Sequence, residues 1–355
     1  MNKERKKKFK IRYFRVGAAV FLLVLIIFGI FFIVSSINDD NNKEAVQADV
    51  STITASESVS SSSEINTESN TEDTAASFVA YSEKTSNSVK FGEEYDVKNA
   101  VLICADDKKI VAYKDESMKM YPASLTKVMS LIVAVENISD LSDTVLITDD
   151  MVDPMIALDA SRAGFIPGET PTLKDALYGM ILTSGADASL AVAKYVSGSE
   201  IEFVKLMNKK AEQMGLKNTH FTNCIGLHDE KHYSTAEDMA VILEYAIRND
   251  VCKAVLSEYE YEIPPTQQNP EGLKFTSTLF SRMYGNEMSG VLIKGGKTGY
   301  TDESGNCIES FAEINGKTYI LVLCGGTTNW NNIYNTLSAY SVYCADGEPY
   351  SPPNQ

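Results

Sequence analysis

An uncharged run of 19 residues, 16–34, constrains this chain most, because apolar and small side chains follow one another in it without a break. As a helix it rises roughly 28 Å, close to the thickness of a bilayer core. Residues 1–15 hold eight Lys or Arg and one Glu. Positive charge keeps the flank of a membrane span on the cytoplasmic side. Residues 1–15 are therefore expected as a cytoplasmic tail, 16–34 as a transmembrane anchor, and the remainder as a body facing outward. The competing reading is a cleaved signal peptide, with Val34-Ser35-Ser36 as a weak processing site. Its apolar region would ordinarily be about 7–15 residues, shorter than this one.

Beyond the run stand 24 basic and 47 acidic side chains. A body that acidic repels phosphate backbones, which excludes nucleic acid as a partner. The six cysteines all lie beyond the run, scattered, with no C-x-x-C pair and no metal-ligand spacing. In an oxidising compartment some can pair, and their spacing does not say which. Residues 35–88 form a polar tract. Within it, 51–75 contain eight Ser and five Thr, too little apolar surface to fold. It reads as a disordered stalk spanning roughly 40 Å on average, with a folded head over 89–345 and a flexible tail over 346–355.

In the head, 99–104 and 110–113 are short apolar runs split by Asp106-Asp107-Lys108-Lys109, the pattern of a β-hairpin. Helix periods follow over 125–137, 173–183, 188–196, 201–214 and 236–248, with Gly215 as a stop and Thr235 as an N-cap. Segments 306–314 and 318–324 flank Asn315-Gly316, a strong hairpin signal, and a last helix is expected over 330–343. Strands at both ends, helices between and no β-α-β alternation exclude a doubly wound parallel sheet. They indicate an α+β fold, an antiparallel sheet flanked by helices with a mainly helical middle region.

The chemistry-bearing stretch is Tyr121-Pro122-Ala123-Ser124-Leu125-Thr126-Lys127. Ser124 stands where a helix begins, and Lys127 lies one turn on, on the same face. A serine hydroxyl is a weak nucleophile until a base takes its proton. A lysine whose pKa is lowered by burial or by another cation can be that base. The plain alternative is a helix-capping serine with a surface lysine. A second stretch, Lys297-Thr298-Gly299-Tyr300, places a cation, a hydroxyl and a glycine on one edge strand. That set suits a carboxylate with a backbone close behind it, although a glycine-rich turn would also accommodate it. A third, Ser184-Gly185-Ala186-Asp187, joins two expected helices and by itself reads as an ordinary turn.

S-x-x-K, a serine turn and K-T-G in that order form the signature of penicillin-binding proteins and serine β-lactamases. The chain resembles the D-alanyl-D-alanine carboxypeptidases among them. The likeness extends through Arg162-Ala163-Gly164, Pro167-Gly168-Glu169-Thr170, Gly215-Leu216-Lys217-Asn218-Thr219 and His232-Tyr233-Ser234-Thr235-Ala236. The resemblance implies a β-lactamase/transpeptidase-like fold. It implies peptidoglycan stem peptides ending in D-Ala-D-Ala as substrate, β-lactams as covalent inhibitors, and no metal or other cofactor. It also implies Ser124 as nucleophile, Lys127 as its base and Ser184 as proton relay. Lys297, Thr298, Gly299 and Tyr300 would bind substrate, with the backbone N–H groups of Ser124 and Tyr300 as oxyanion hole. One position departs: the family usually has Asn where this chain has Ala186.

Three other readings compete. A class A β-lactamase needs a glutamate on a loop between the second and third motifs, whereas Glu200, Glu202 and Glu212 fall in an expected helix. A non-catalytic peptidoglycan or β-lactam binding module would explain Ala186. His228 and His232 have the H-x-x-x-H spacing of a zinc helix, but Asp229 replaces the expected Glu and the segment reads as a loop, so no metal is expected there.

Overall fold

A computed structural model describes residues 79–352, apart from Gly285 and Glu287. The expected cytoplasmic tail, transmembrane anchor and most of the stalk lie outside the described residues. Among the described residues, no helix is long and apolar enough to cross a membrane. The chain opens with β1 (Glu83–Lys90), β2 (Asn99–Cys104) and β3 (Lys109–Lys114). Next come α1 (Thr126–Asn137), α2 (Asp149–Ala157), α3 (Leu173–Leu182), α4 (Ala186–Ser197), α5 (Glu200–Gln213), α6 (Ala236–Ala246) and α7 (Asp250–Ser257). A small hairpin of β4 (Glu260–Ile263) and β5 (Leu273–Thr276) and the short α8 (Phe280–Met283) lead to β6 (Leu292–Thr301), β7 (Gly305–Ile314), β8 (Lys317–Gly326) and α9 (Asn329–Cys344).

The main sheet has the order β1-β3-β2-β8-β7-β6. All six residues of β2 are buried, because successive side chains point to opposite faces and both faces are covered. Val101 and Ile103 enter a core shared with the helical middle, together with Leu125, Leu131 and Phe203. Ala100 and Leu102 enter a second core under α9, with Ile333, Leu337 and Tyr340. The β7–β8 turn is built as its residues require: Asn315 and Gly316 both have positive φ, 52° and 75°, as a two-residue hairpin turn demands. Thr235 caps α6 by accepting from the Asp238 N–H at 3.0 Å, and Gly215, at φ +70°, follows the end of α5.

Three expectations are corrected. The sheet is mixed, because β1 pairs parallel with β3, Glu83 opposite Lys109 and Lys90 opposite Tyr113. The fold also takes in 83–88, assigned above to the stalk. Strand β1 sits at the sheet edge with seven of its eight residues exposed, so its backbone hydrogen bonds rather than any apolar pattern hold it in place. Finally, the tail docks as far as it is described. The Tyr350 N–H donates to Ser338 Oγ at 2.9 Å, its ring stacks on Tyr334, and Ser341 Oγ donates to the Glu348 carbonyl at 2.8 Å. One aromatic side chain anchors a segment expected as a flexible tail.

Candidate active site

Ser124 sits in a 3-10 turn, Ala123–Leu125, that leads into α1. Ala123 is held at φ +47° although it carries a Cβ and is buried; backbone held in that region costs of order 1–3 kcal/mol and persists only where its surroundings enforce it. Two glycines supply that enforcement. A Cβ on Gly226 would lie 2.0 Å from the Ala123 carbonyl oxygen, and one on Gly299 would lie 2.9 Å from the Ser124 nitrogen. The turn is thus gripped between the 223–227 loop and β6 at closer range than any side chain permits.

Lys127 follows one helical turn later. Its Nζ lies 3.2 Å from Ser124 Oγ and donates to the Ile225 carbonyl at 2.6 Å. Only 2% of the residue is exposed, and burial lowers its pKa to about 8 against the weaker opposing pull of Cys224 and Asp187. The Ile225 carbonyl is placed by Asn223, whose Oδ1 accepts from the N–H groups of Ile225, Gly226 and Leu227 at 3.2, 2.7 and 3.1 Å.

The second motif forms where α3 ends. Thr183 Oγ1 and the Gly185 N–H both donate to the Gly179 carbonyl, at 2.8 and 3.1 Å. This turns Ser184, at φ +60° and buried, back toward the Ser124 turn before α4 begins. Asp187 is fully buried, and its carboxylate accepts from the N–H groups of Ala163, Gly164, Phe165 and Ala188, at 2.7, 3.0, 3.3 and 2.9 Å. Those bonds tie Arg162-Ala163-Gly164 to Ser184-Gly185-Ala186-Asp187, and the Ala186 N–H adds a bond to the Ser161 carbonyl at 2.8 Å.

The third motif lies in β6, an edge strand of the sheet. Thr298 Oγ1 is 2.7 Å from Thr278 Oγ1, and Arg282 Nη1 donates to the Thr278 carbonyl. Tyr300 is 59% exposed at the rim, with its hydroxyl donating to Asp302 at 2.7 Å. Six of the seven expected site residues, Ser124, Lys127, Ser184, Thr298, Gly299 and Tyr300, line one groove of about 520 Å³, and Ala186 lines it with them. Lys297 stands apart, 1% exposed behind the wall of the groove, with its Nζ donating to the Thr298 carbonyl at 2.6 Å.

Sequence reasoning missed Arg282, which lines the groove, and the positioning groups Asn223 and Asp187. Asn223 had a signal, an Asx residue three before Gly226. His232 is engaged within the protein: Nε2 is 2.8 Å from Thr126 Oγ1 and Nδ1 accepts from the Thr222 N–H at 3.1 Å. Burial lowers its pKa to about 4. His228 meets the edge of Tyr121, ring centroids 4.6 Å apart. All six cysteines are free thiols, five of them buried.

The family model for D-alanyl-D-alanine carboxypeptidase matches residues 83–328. The chain is 34% identical over 238 residues to D-alanyl-D-alanine carboxypeptidase DacF of Bacillus subtilis, a match covering 66% of this chain and 58% of that protein. The chain therefore spans less than two thirds of that relative's length. Among solved structures it is similar to the Streptomyces K15 DD-transpeptidase, with TM-score 0.62 and 25% identity over 68% of this chain and 94% of that one. It is also similar to penicillin binding protein 5 from Haemophilus influenzae, with TM-score 0.63 and 26% identity over 71% and 72% of the two chains. The family match begins with the first strand of the sheet and runs past the last, so it takes in all three motifs that meet at the groove, and this chain belongs to the D-alanyl-D-alanine carboxypeptidase family.

Proposed function

We propose that this protein is a serine D-Ala-D-Ala carboxypeptidase that removes the terminal D-alanine from peptidoglycan stem peptides, and that β-lactams acylate it at Ser124. The observation that carries the reading is the buried Lys127 amine, 3.2 Å from Ser124 Oγ and poised at about 8. In its neutral form it takes the hydroxyl proton while Oγ attacks the carbonyl carbon between the last two D-alanines. The backbone N–H groups of Ser124 and Tyr300 hold the developing oxyanion. Ser184 relays the proton to the leaving amine of D-alanine, and water then releases the shortened peptide from Ser124. Thr298 and, from behind the wall, Lys297 attract the terminal carboxylate. Gly299 lets the substrate backbone approach the strand. No step requires a metal or other cofactor.

The transmembrane anchor over 16–34 and the stalk complete the proposal: a single-pass protein with its N-terminus in the cytoplasm, the groove outside the cell, and the stalk reaching toward the wall. The 19-residue apolar run and its basic flank support this placement. A β-lactamase is disfavoured because Glu200, the candidate nearest the second motif in sequence, is occupied in accepting from the Cys224 N–H at 3.0 Å.

Ala186 favours a second reading, a muropeptide or β-lactam binding module with little turnover. Its buried methyl group cannot bond the substrate's peptide carbonyl, a loss of about 1–3 kcal/mol. The deciding experiment measures D-alanine release by the full chain in detergent from a pentapeptide ending in D-Ala-D-Ala, with and without penicillin. Release blocked by penicillin is the expected result. Penicillin labelling without release would establish the binding module instead.

A further inference from the structure

Glu309 is a buried acid that the mechanism above does not use. It lies on β7 directly opposite Lys297 on β6, so the two side chains leave the sheet on the same face, about 5 Å apart at Cβ. Glu309 is 0% exposed and Lys297 1%. Neither carboxyl oxygen of Glu309 has a hydrogen-bond partner among the described residues. A buried carboxyl left in that state is costly, and an acid of this kind behind a substrate-binding wall calls for an explanation.

The groups around it supply one. On its own face Glu309 is flanked along β7 by Cys307 and Phe311, and Val322 of β8 lies beside it. Lys297 and the Cys307 thiol act on it, the Cys324 thiol of β8 feels its charge, and Lys127 of α1 and Arg282 of α8 repel Lys297. Three basic groups thus face one another across the wall of the groove. Asp187 is already engaged by four N–H groups, and Asp159 and Asp302 are exposed in the open groove. Glu309 is the acid placed to offset this charge from behind the wall.

We propose that Glu309 is the counter-acid of Lys297: the two hold one proton between them, and it resides on Lys297 when a substrate carboxylate is bound. In the empty groove burial works against both charged forms, pushing the carboxyl up and the amine down while their mutual attraction opposes each shift. A docking carboxylate favours the arrangement with the proton on Lys297 Nζ and the charge on the Glu309 carboxylate. Lys297 gains a proton as Glu309 gives one up, so carboxylate binding takes none from solvent on balance. Without Glu309, Lys297 would face Lys127 and Arg282 with no counter-charge and would need a proton from solvent to bind substrate. Glu309 touches no substrate and is a positioning residue acting through Lys297.

The inference rests on the carboxypeptidase reading, and the test separates the two. D-Alanine release and penicillin acylation are measured across the pH range for the full chain and for Glu309→Gln. If the inference holds, KM of the variant climbs about tenfold per pH unit on the alkaline side, beginning at least about one unit below the wild type, while kcat changes far less. A purely structural role would lower the melting temperature and leave the pH dependence of KM in place. Superimposable profiles for the two proteins overturn the inference. If the wild type releases no D-alanine, the carboxypeptidase reading fails. The pH dependence of acylation, which also requires a carboxylate to dock, then decides on Glu309, and absence of both activities overturns both. Should Glu309→Gln not fold, Glu309→Val, which removes the buried polar group altogether, carries the same comparison.

Discussion

The role proposed for Lys127 rests on its surroundings. A lysine at 10.5 would be neutral in roughly one molecule in three thousand at pH 7, and one at about 8 in roughly one in ten. Burial of a single amine therefore supplies a usable base near neutrality. Only the neutral form accepts the Ser124 proton, so acylation by penicillin should rise with pH through about 8 and then level off, as followed with a fluorescent penicillin. Lys127→Arg, which stays charged, should slow acylation by at least about a hundredfold. Ser124→Ala should abolish the covalent adduct in an intact-mass measurement while the melting temperature stays near that of the wild type, since the lost hydroxyl packs against no core. A persistent adduct would remove Ser124 as nucleophile. The placement of the motif residues was legible because it is local: Ser124 and Lys127 stand one helical turn apart. Asp187 was not, because its meaning lies in three N–H groups more than 20 residues upstream. Arg282 reaches the groove only through the fold.

Between elements, the site depends on β6 passing close to the Ser124 turn. Gly299→Ala would place a Cβ 2.9 Å from the Ser124 nitrogen and 3.1 Å from the Ala123 Cβ. Backbone cannot give way as a flexible side chain can. The expected result is acylation slowed by about tenfold or more, because the nucleophile shifts, together with about 1–3 kcal/mol of lost stability, read by thermal melting. Unchanged acylation would mean that the turn is not held by this contact. The helices that carry or flank the first two motifs were readable from the sequence. The segment expected at 173–183 is observed as Leu173–Leu182, opened by a capping box between Thr172 and Asp175. Strands β1 and β6 carried little apolar pattern, for opposite reasons. β1 is polar and exposed at one edge, whereas β6 trades side chains for Gly295, Gly296 and Gly299 so that neighbouring backbones can approach. Helix α2 was missed because Pro154 lies inside it, and proline argues against a helix interior.

At the scale of the whole molecule, every described residue lining the groove lies between Ser124 and Ile333, and the two cores on either face of the sheet draw, among the described residues, on both ends of the head. The residues of the proposed chemistry run from Ser124 to Tyr300, whereas the apolar run 16–34 is proposed to lie in the membrane. This separates location from activity and makes both testable in one experiment. In cells producing the full chain, penicillin labelling should follow the membrane pellet. In cells producing a chain whose first 34 residues are replaced by a cleavable secretion signal, it should move to the soluble fraction with the same acylation rate. The intact mass of the pelleted protein distinguishes the anchor from a processed leader, since cleavage after Ser36 would remove the whole apolar run. A pelleted protein lacking those residues would overturn the anchor and require another attachment. Loss of labelling on replacement would mean that residues 1–34 contribute to activity as well as location.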